Sequence, residues 1–429
     1  MRAAGAFCTI VTTSFVPYAR VLAASLARHH DARKLIVLVM DADDRLDPAH
    51  EPFTLVQPSD LEPVLPAAEF ARMTVMYNGK ELATALKPFL LEHLLDGGAP
   101  SAVFVDPDIE VFSRLDDLEE AAVAHGVVLV PHCLAPIPLD GETPTETTIQ
   151  RYGIFNGGLL GVSPAGRPFL GWLGARLLRD CISAPEQGLF VDQRWLDFVP
   201  AYFDHLVLRD PTVDVAYWNL HERDVVRVEG RWEVAGRPLR CFHFSGYNPF
   251  RPKVLTIGSS RITFARRPNL RPLFDEYARQ LLAAGYAEWR PLPFRYDTDD
   301  EGRTIEGNRR RLFRAVVKER EAVGRELPVH DLDPLSVATW ANSEALDRSA
   351  SQAALAEYYL SSSPSLESGR FPRAGRAIRR TLLRINRPYR ERDELVLRTL
   401  LRAVKDGDER LASRVAALEE HSPGSSTGD

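Results

Sequence analysis

Lysine is almost missing from this chain: only 6 of the 53 basic residues among its 429 are Lys, and the rest are Arg. Cysteine is equally scarce. Cys8, Cys133, Cys181 and Cys241 stand far apart with no Cys-x-x-Cys spacing, which excludes a zinc ribbon and a disulfide framework. A reducing, cytoplasmic setting is expected. Long apolar runs are lacking too. Leu35–Met40 is far shorter than the ~20 residues that span a bilayer. The N-terminus has one Arg and an apolar stretch broken by Thr9, Thr12, Thr13 and Ser14, so it reads as a buried strand and not a signal peptide. No excess of positive charge exists: 53 basic against 59 acidic residues give −6, which excludes a nucleic-acid binder that uses the whole chain. There is no GxGxxG after the first strand, no P-loop, no HExxH and no GxSxG. Dehydrogenase, NTPase, zinc protease and serine hydrolase readings lose their main support.

What is present is ordinary globular material, 45% hydrophobic and 26% charged. Strand-like and helix-like segments alternate through residues 1–285. Ala6–Thr12, Leu35–Met40, Phe53–Val56, Ala102–Val105, Gly126–Val130 and Ile154–Val162 read as strands. Pro17–His30, Glu81–Leu95, Pro168–Cys181 and Val191–Phe203 read as helices. This rhythm predicts an α/β fold with a mixed, mainly parallel sheet flanked by helices. Ligands in such sheets sit beyond the carboxyl ends of the strands. A linker is expected at 286–302, where Pro291, Pro293 and the acidic run Asp297–Glu301 cluster, and a helical accessory region at 303–360. Residues 366–421 read as basic amphipathic and near-heptad helices, and 422–429 as a disordered tail.

Polar residues that follow strands carry the chemistry. Asp106 and Asp108 flank Pro107 after Ala102–Val105. In extended chain such a pair points one way and can face one hard divalent cation. The chain holds five Asp-x-Asp matches, so spacing alone does not decide. Asp41/Asp43 is the rival, but it opens into the charged pair Asp44-Arg45, whereas Asp106/Asp108 sits between two apolar segments. A turn closing a strand is the plain alternative. His243, in Cys241-Phe-His-Phe-Ser-Gly246, could complete a metal site or simply be a hydrogen-bonded strand-end histidine. Phe155-Asn156-Gly157-Gly158 permits close backbone approach to a ligand, or forms a β-bulge. Asp192-Gln193 can bond sugar hydroxyls or cap a helix. Lys87 can reach a phosphate or sugar oxygen, or lie solvated on its helix. Trp218-Asn219-Leu220-His221 is a further polar-aromatic cluster.

In this order the motifs resemble the nucleotide-sugar-dependent glycosyltransferases of GT-A fold, in particular the retaining glycogenin-like and lipopolysaccharide-galactosyltransferase-like group. The resemblance rests on Thr12, Lys87 in a TxxK helix, Asp106/Asp108, Phe155-Asn156-Gly157-Gly158, Asp192-Gln193 and His243-Phe-Ser-Gly246, and it covers residues 6–250. It implies a C-terminal helical extension on a GT-A catalytic domain. It implies Mn²⁺ or Mg²⁺ held by Asp106, Asp108 and His243, with Asp106 also near the donor ribose. Lys87, Asn156, Asp192 and Gln193 would line the donor sugar, with Thr12, Phe15, Gly157 and Gly246 around the nucleotide. Tyr18 rivals Phe15 as the base-stacking ring. Where the group has a lysine six positions after the histidine this chain has Pro249, and Arg251 or Lys253 would supply that charge.

The resemblance therefore implies transfer from a nucleoside diphosphate sugar, UDP-sugars favoured, to a hydroxyl on a glycan, lipid-linked or protein acceptor, with retention, in surface polysaccharide or glycoconjugate synthesis. The loop 132–150, rich in Pro and Thr, is the candidate acceptor loop. A sugar nucleotidyltransferase is the alternative, but its Gly-rich basic loop after the first strand is missing here. A catalytically inactive scaffold is the second alternative; the retained carboxylates and His243 speak against it. Residues 370–390 carry eight arginines and no acid, which suits peripheral contact with the inner face of a membrane or packing on the acidic catalytic half. The near-heptad stretch 395–418 suits a homodimer or simple docking.

Overall fold

The computed structural model of the chain describes residues 5–31, 33–329 and 333–351, together with 354, 355, 358, 397 and 399–402. It divides into two compact units, Met1–Met73 with Gly79–Arg295, and Thr74–Asn78 with Tyr296–Asp429. The first therefore runs ten residues past the expected boundary. The reason is the short helix Tyr286–Trp289, whose Tyr286 and Trp289 side chains are buried in the cores of that unit.

The aliphatic runs set the first unit's sheet. β1 (Ala6–Val11) is covered on both faces and lies parallel to β2 (Ile36–Val39) and β4 (Ala102–Val105), with β3 (Thr54–Val56) parallel to β2. β5 (Ile109–Val111) leaves the sheet immediately after Asp108. β6 (Val127–Pro131) and β4 both pair antiparallel with β7 (Phe155–Val162). β8 (Ser183–Ala184) and β9 (Leu189–Phe190) form a small hairpin, and β10 (Leu206–Val207) adds parallel to β6 at the edge. The seven-stranded order is β10-β6-β7-β4-β1-β2-β3, the mixed and mainly parallel sheet that was expected. A three-stranded antiparallel sheet follows from β11 (Val225–Val228), β12 (Arg231–Val234) and β13 (Arg237–Pro238). Finally β14 (Cys241–His243) returns to pair antiparallel with β5.

Two helices expected as single pieces are broken. The stretch 81–95 divides into Gly79–Ala85 and Lys87–Asp96, because Pro88 in the first turn of the second helix cannot donate back to the first. The stretch 191–203 divides into Gln193–Leu196 and Val199–Tyr202, with Pro200 again at the restart and Val191 in the left-handed region at φ 42°. In the second unit, helices Gly307–Ala322, Pro334–Ala341 and Glu344–Ser349 fall inside the expected helical region. Residues 370–390 and 422–429 lie outside the described residues, as does 395–418 apart from 397 and 399–402. Among the described residues no helix is long and apolar enough to cross a membrane.

Candidate functional site

The site is assembled where β4 ends. The chain must turn between β4 and β5, and Asp106-Pro107-Asp108 makes that turn. Asp106 N–H donates to the Gly158 carbonyl at 2.7 Å, which ties the turn to β7. The β5–β14 pairing then sets His243 opposite Ile109, and Phe244 N–H donates to the Asp108 carbonyl at 2.9 Å. Residues 135 apart in sequence thereby meet. His243 Nε2 lies 3.0 Å from Asp108 Oδ1 and 3.7 Å from Asp106 Oδ2. One ligand atom from each of the three falls within 4.8 Å of the others, a spacing that fits one metal ion. Among the described residues no other such group of His, Cys, Asp and Glu occurs.

Behind the imidazole stands Asp214. Its Oδ1 lies 3.1 Å from His243 Nδ1, so Nδ1 carries the proton and Nε2 is left as the ligand atom. Asp214 is fully buried and holds a left-handed backbone at φ 54°, a conformation that Asp tolerates better than most residues. Asn156 completes the bracket. Its amide donates to Asp214 Oδ2 at 2.8 Å, and its carbonyl accepts from Gly158 N–H at 2.6 Å. Burial disfavours a charged His243, but Asp108 and then Asp214 outweigh it and hold its pKa well above the ordinary value. Burial also disfavours a charged Asp108, yet His243 prevails and lowers its pKa, whereas at Asp106 burial prevails over Lys87 and raises it. Two carboxylates and an imidazole suit a hard or borderline divalent cation such as Mg²⁺ or Mn²⁺.

Beside this cluster lies a buried ion pair. Lys87 Nζ donates to Asp192 Oδ2 at 2.5 Å and to the Gly157 carbonyl at 2.6 Å, and it sits 4.3 Å from the centre of the Phe104 ring. Lys87 is thus no solvated helix residue; its charge is neutralised inside the site. Gln193 accepts from Gly157 N–H at 3.3 Å and donates to the Tyr152 carbonyl at 3.0 Å. The two glycines are needed here for approach. A Cβ on Gly157 would lie 2.6 Å from Asp192 Oδ1, and one on Gly158 would lie 2.5 Å from Asp106 Oδ2. The β-bulge alternative also holds, since the register between β6 and β7 shifts between Leu129 and Val130. The bulge is how the backbone is brought to the carboxylates.

Other expected residues are placed as follows. Thr12 bonds Ser14 through its hydroxyl at 2.9 Å after β1. Phe15 stacks on Tyr18 with centres 4.9 Å apart, and the Arg290 guanidinium covers its ring at 4.8 Å. Gly246 turns the chain after His243 at φ 74°. Arg251 and Lys253 are exposed. The rival pair is spent elsewhere: Asp41 accepts from Thr13 N–H at 2.7 Å and Asp43 pairs with Arg45 at 2.6 Å. Trp218 packs edge-on to His243 at 5.1 Å and to His132 at 5.3 Å, so it belongs to the wall of the site. Asp214 is the residue that sequence reasoning missed. Its only signal was a single acid between Val213 and Val215.

No protein-family model matches the chain. The uncharacterized protein YfnF of Bacillus subtilis (strain 168) is 24% identical over 252 residues, which cover 56% of this chain and 81% of that protein. Among solved structures, the chain is similar to the bifunctional glycosyltransferase WbbM at a TM-score of 0.38 and 15% identity. That match covers 68% of this chain and 51% of WbbM, so the chain spans about half its length. It is similar to the galactosyltransferase LgtC, solved with donor and acceptor sugar analogues, at a TM-score of 0.38 and 14% identity. Here 64% of this chain and 95% of LgtC are covered.

Proposed function

We propose that this chain is a metal-dependent glycosyltransferase that moves a sugar from a nucleoside diphosphate sugar, UDP-sugars favoured, to a hydroxyl acceptor with retention. The observation that carries the reading is the convergence of Asp106, Asp108 and His243 at the carboxyl end of β4, beside the buried Lys87–Asp192 pair. A divalent cation bound there would neutralise charge on the leaving diphosphate. Asp106, Asp108 and His243 Nε2 would hold it. Asp214 and Asn156 fix the imidazole. Gly157 and Gly158 let the donor come close to the backbone. Asp192, with Gln193, would orient the sugar hydroxyls while Lys87 keeps the Asp192 carboxylate charged and in place. Thr12, Phe15 and Gly246 would border the nucleotide. No side chain in the bracket is free to act as a covalent nucleophile, since Asp192 is bound by Lys87 and Asn156 by Asp214. That favours same-face substitution in which a phosphate oxygen takes the acceptor proton. The acceptor is assigned to surface glycan or glycoconjugate chemistry.

The test is incubation with a panel of nucleotide sugars, with and without Mn²⁺, following release of the nucleoside diphosphate. Release by the wild type and its loss in Asp108→Ala support the reading. Undiminished metal-dependent release by Asp108→Ala would sink it.

A further inference from the structure

The stretch 234–274 contains no Asp or Glu and eight basic residues. Five of these are paired with carboxylates from elsewhere in the first unit: Arg237 with Asp210, Arg240 with Asp117, Arg261 with Asp140, Arg266 with Glu142 and Arg267 with Asp224. Arg271 lies over the Phe264 ring and donates to the Pro252 carbonyl. That leaves Arg251 and Lys253, which are exposed and have no carboxylate partner among the described residues.

These two cations alternate with side chains that ought not to face water. Phe250, Val254 and Ile257 are 56%, 41% and 86% exposed, and all three lie on the loop after β14. The exposure does not come from a loose loop. Tyr247, Leu255 and Ile262 anchor it in the second hydrophobic core, and Thr256 donates to the Ser245 carbonyl at 3.3 Å. A second apolar tip joins it. Leu139 is 99% exposed, and Arg261 grips the carbonyl and carboxylate groups on either side, Pro138 and Asp140, from this same loop. An apolar ridge interleaved with uncompensated cations matches two layers of one partner, an anionic headgroup plane above acyl chains. A protein partner would need carboxylates for the cations and a pocket for the ridge; a bilayer supplies both without a pocket.

We infer that the 247–258 loop is a membrane-contact element, with Phe250, Val254 and Ile257 inserting and Arg251 and Lys253 binding anionic headgroups. The inference does not depend on the enzymatic reading. The test is flotation of the full chain with vesicles of phosphatidylcholine alone and of phosphatidylcholine with 30% phosphatidylglycerol. Three proteins are compared: wild type, Arg251→Gln/Lys253→Gln, and Phe250→Ser/Val254→Ser/Ile257→Ser. The wild type is expected to float with the anionic vesicles only, less as salt rises. The double variant should partition roughly fivefold less per cation removed, and the triple variant should stay at the bottom, both with unchanged thermal melts. All substituted side chains are exposed, so folding is not at risk. Wild type that fails to float overturns the inference. So do variants that float like wild type, which would move binding to another segment such as 370–390 or to a protein partner.

Discussion

Asp214 shows how much of the site rests on one side chain that touches no ligand atom itself. It fixes the protonation of His243 at Nδ1 and takes the Asn156 amide as well. Partners of this kind typically change metal affinity by roughly 10–100-fold when removed. Asp214→Asn is the clean test. It keeps the volume, and Asn tolerates the left-handed backbone that this position adopts. It removes only the charge facing the imidazole. Mn²⁺ affinity, read by titration calorimetry, is expected to fall roughly 10–100-fold while the melting curve stays near that of wild type. Unchanged affinity would remove Asp214 from the bracket.

At the scale of elements, the joints matter more than the elements. His30 closes the helix Val16–His29 and accepts from Leu115 N–H at Nε2, 3.0 Å away, at the start of the helix Asp116–His125. The ring is fully buried, and burial, helped by Arg33 and Arg114, lowers its pKa below the ordinary 6.5 despite Asp116. The folded state therefore binds this proton less readily than the unfolded one. Its contribution is complete above about 6.5 and declines as pH falls from there toward the folded pKa. His30→Gln keeps an acceptor for Leu115 N–H but cannot titrate. Urea unfolding at several pH values between 5 and 7 should show a shallower loss of stability for the variant. Parallel curves would contradict it. The same distinction explains what was legible beforehand. The aliphatic runs of β1, β2, β4 and β7 announce themselves, and so does Asp106/Asp108, because a polar pair after a buried strand is conspicuous. The β5–β14 pairing is not visible in sequence. Both strands are three residues long, and what joins them is a long-range ladder and not a local pattern. Asp214 was hidden for the same reason, and the helix breaks at Pro88 and Pro200 were hidden because proline is also welcome in a first turn.

For the molecule as a whole, the scarcity of lysine is answered by buried arginines that act as joints. Arg310 is the strongest case, within the second unit. It is 3% exposed on the helix Gly307–Ala322. One guanidinium nitrogen donates to the carbonyls of Thr74, Val75 and Tyr77 at 2.9, 3.1 and 2.9 Å. The other reaches the Tyr296 carbonyl at 2.8 Å and Asp297 at 2.9 Å. Thr74 and Val75 belong to the last turn of the helix Ala67–Met76, whose end carbonyls have no partner within the helix and carry partial negative charge. A planar, permanently charged fork meets that need, and a lysine could not reach all five acceptors. Arg310→Met keeps the apolar stem but leaves those carbonyls buried without donors, at a cost of roughly 1–3 kcal/mol for each one that water does not reach. Hydrogen exchange is the measurement of choice, because a chain with two compact units need not unfold in one step. Amides of 311–322 should lose protection by at least a factor of ten in Arg310→Met, while those of β1 and β4 keep theirs. Equal loss in both places would mean that the arginine holds the whole chain and not the second unit, and no loss at all would mean that the joint is redundant.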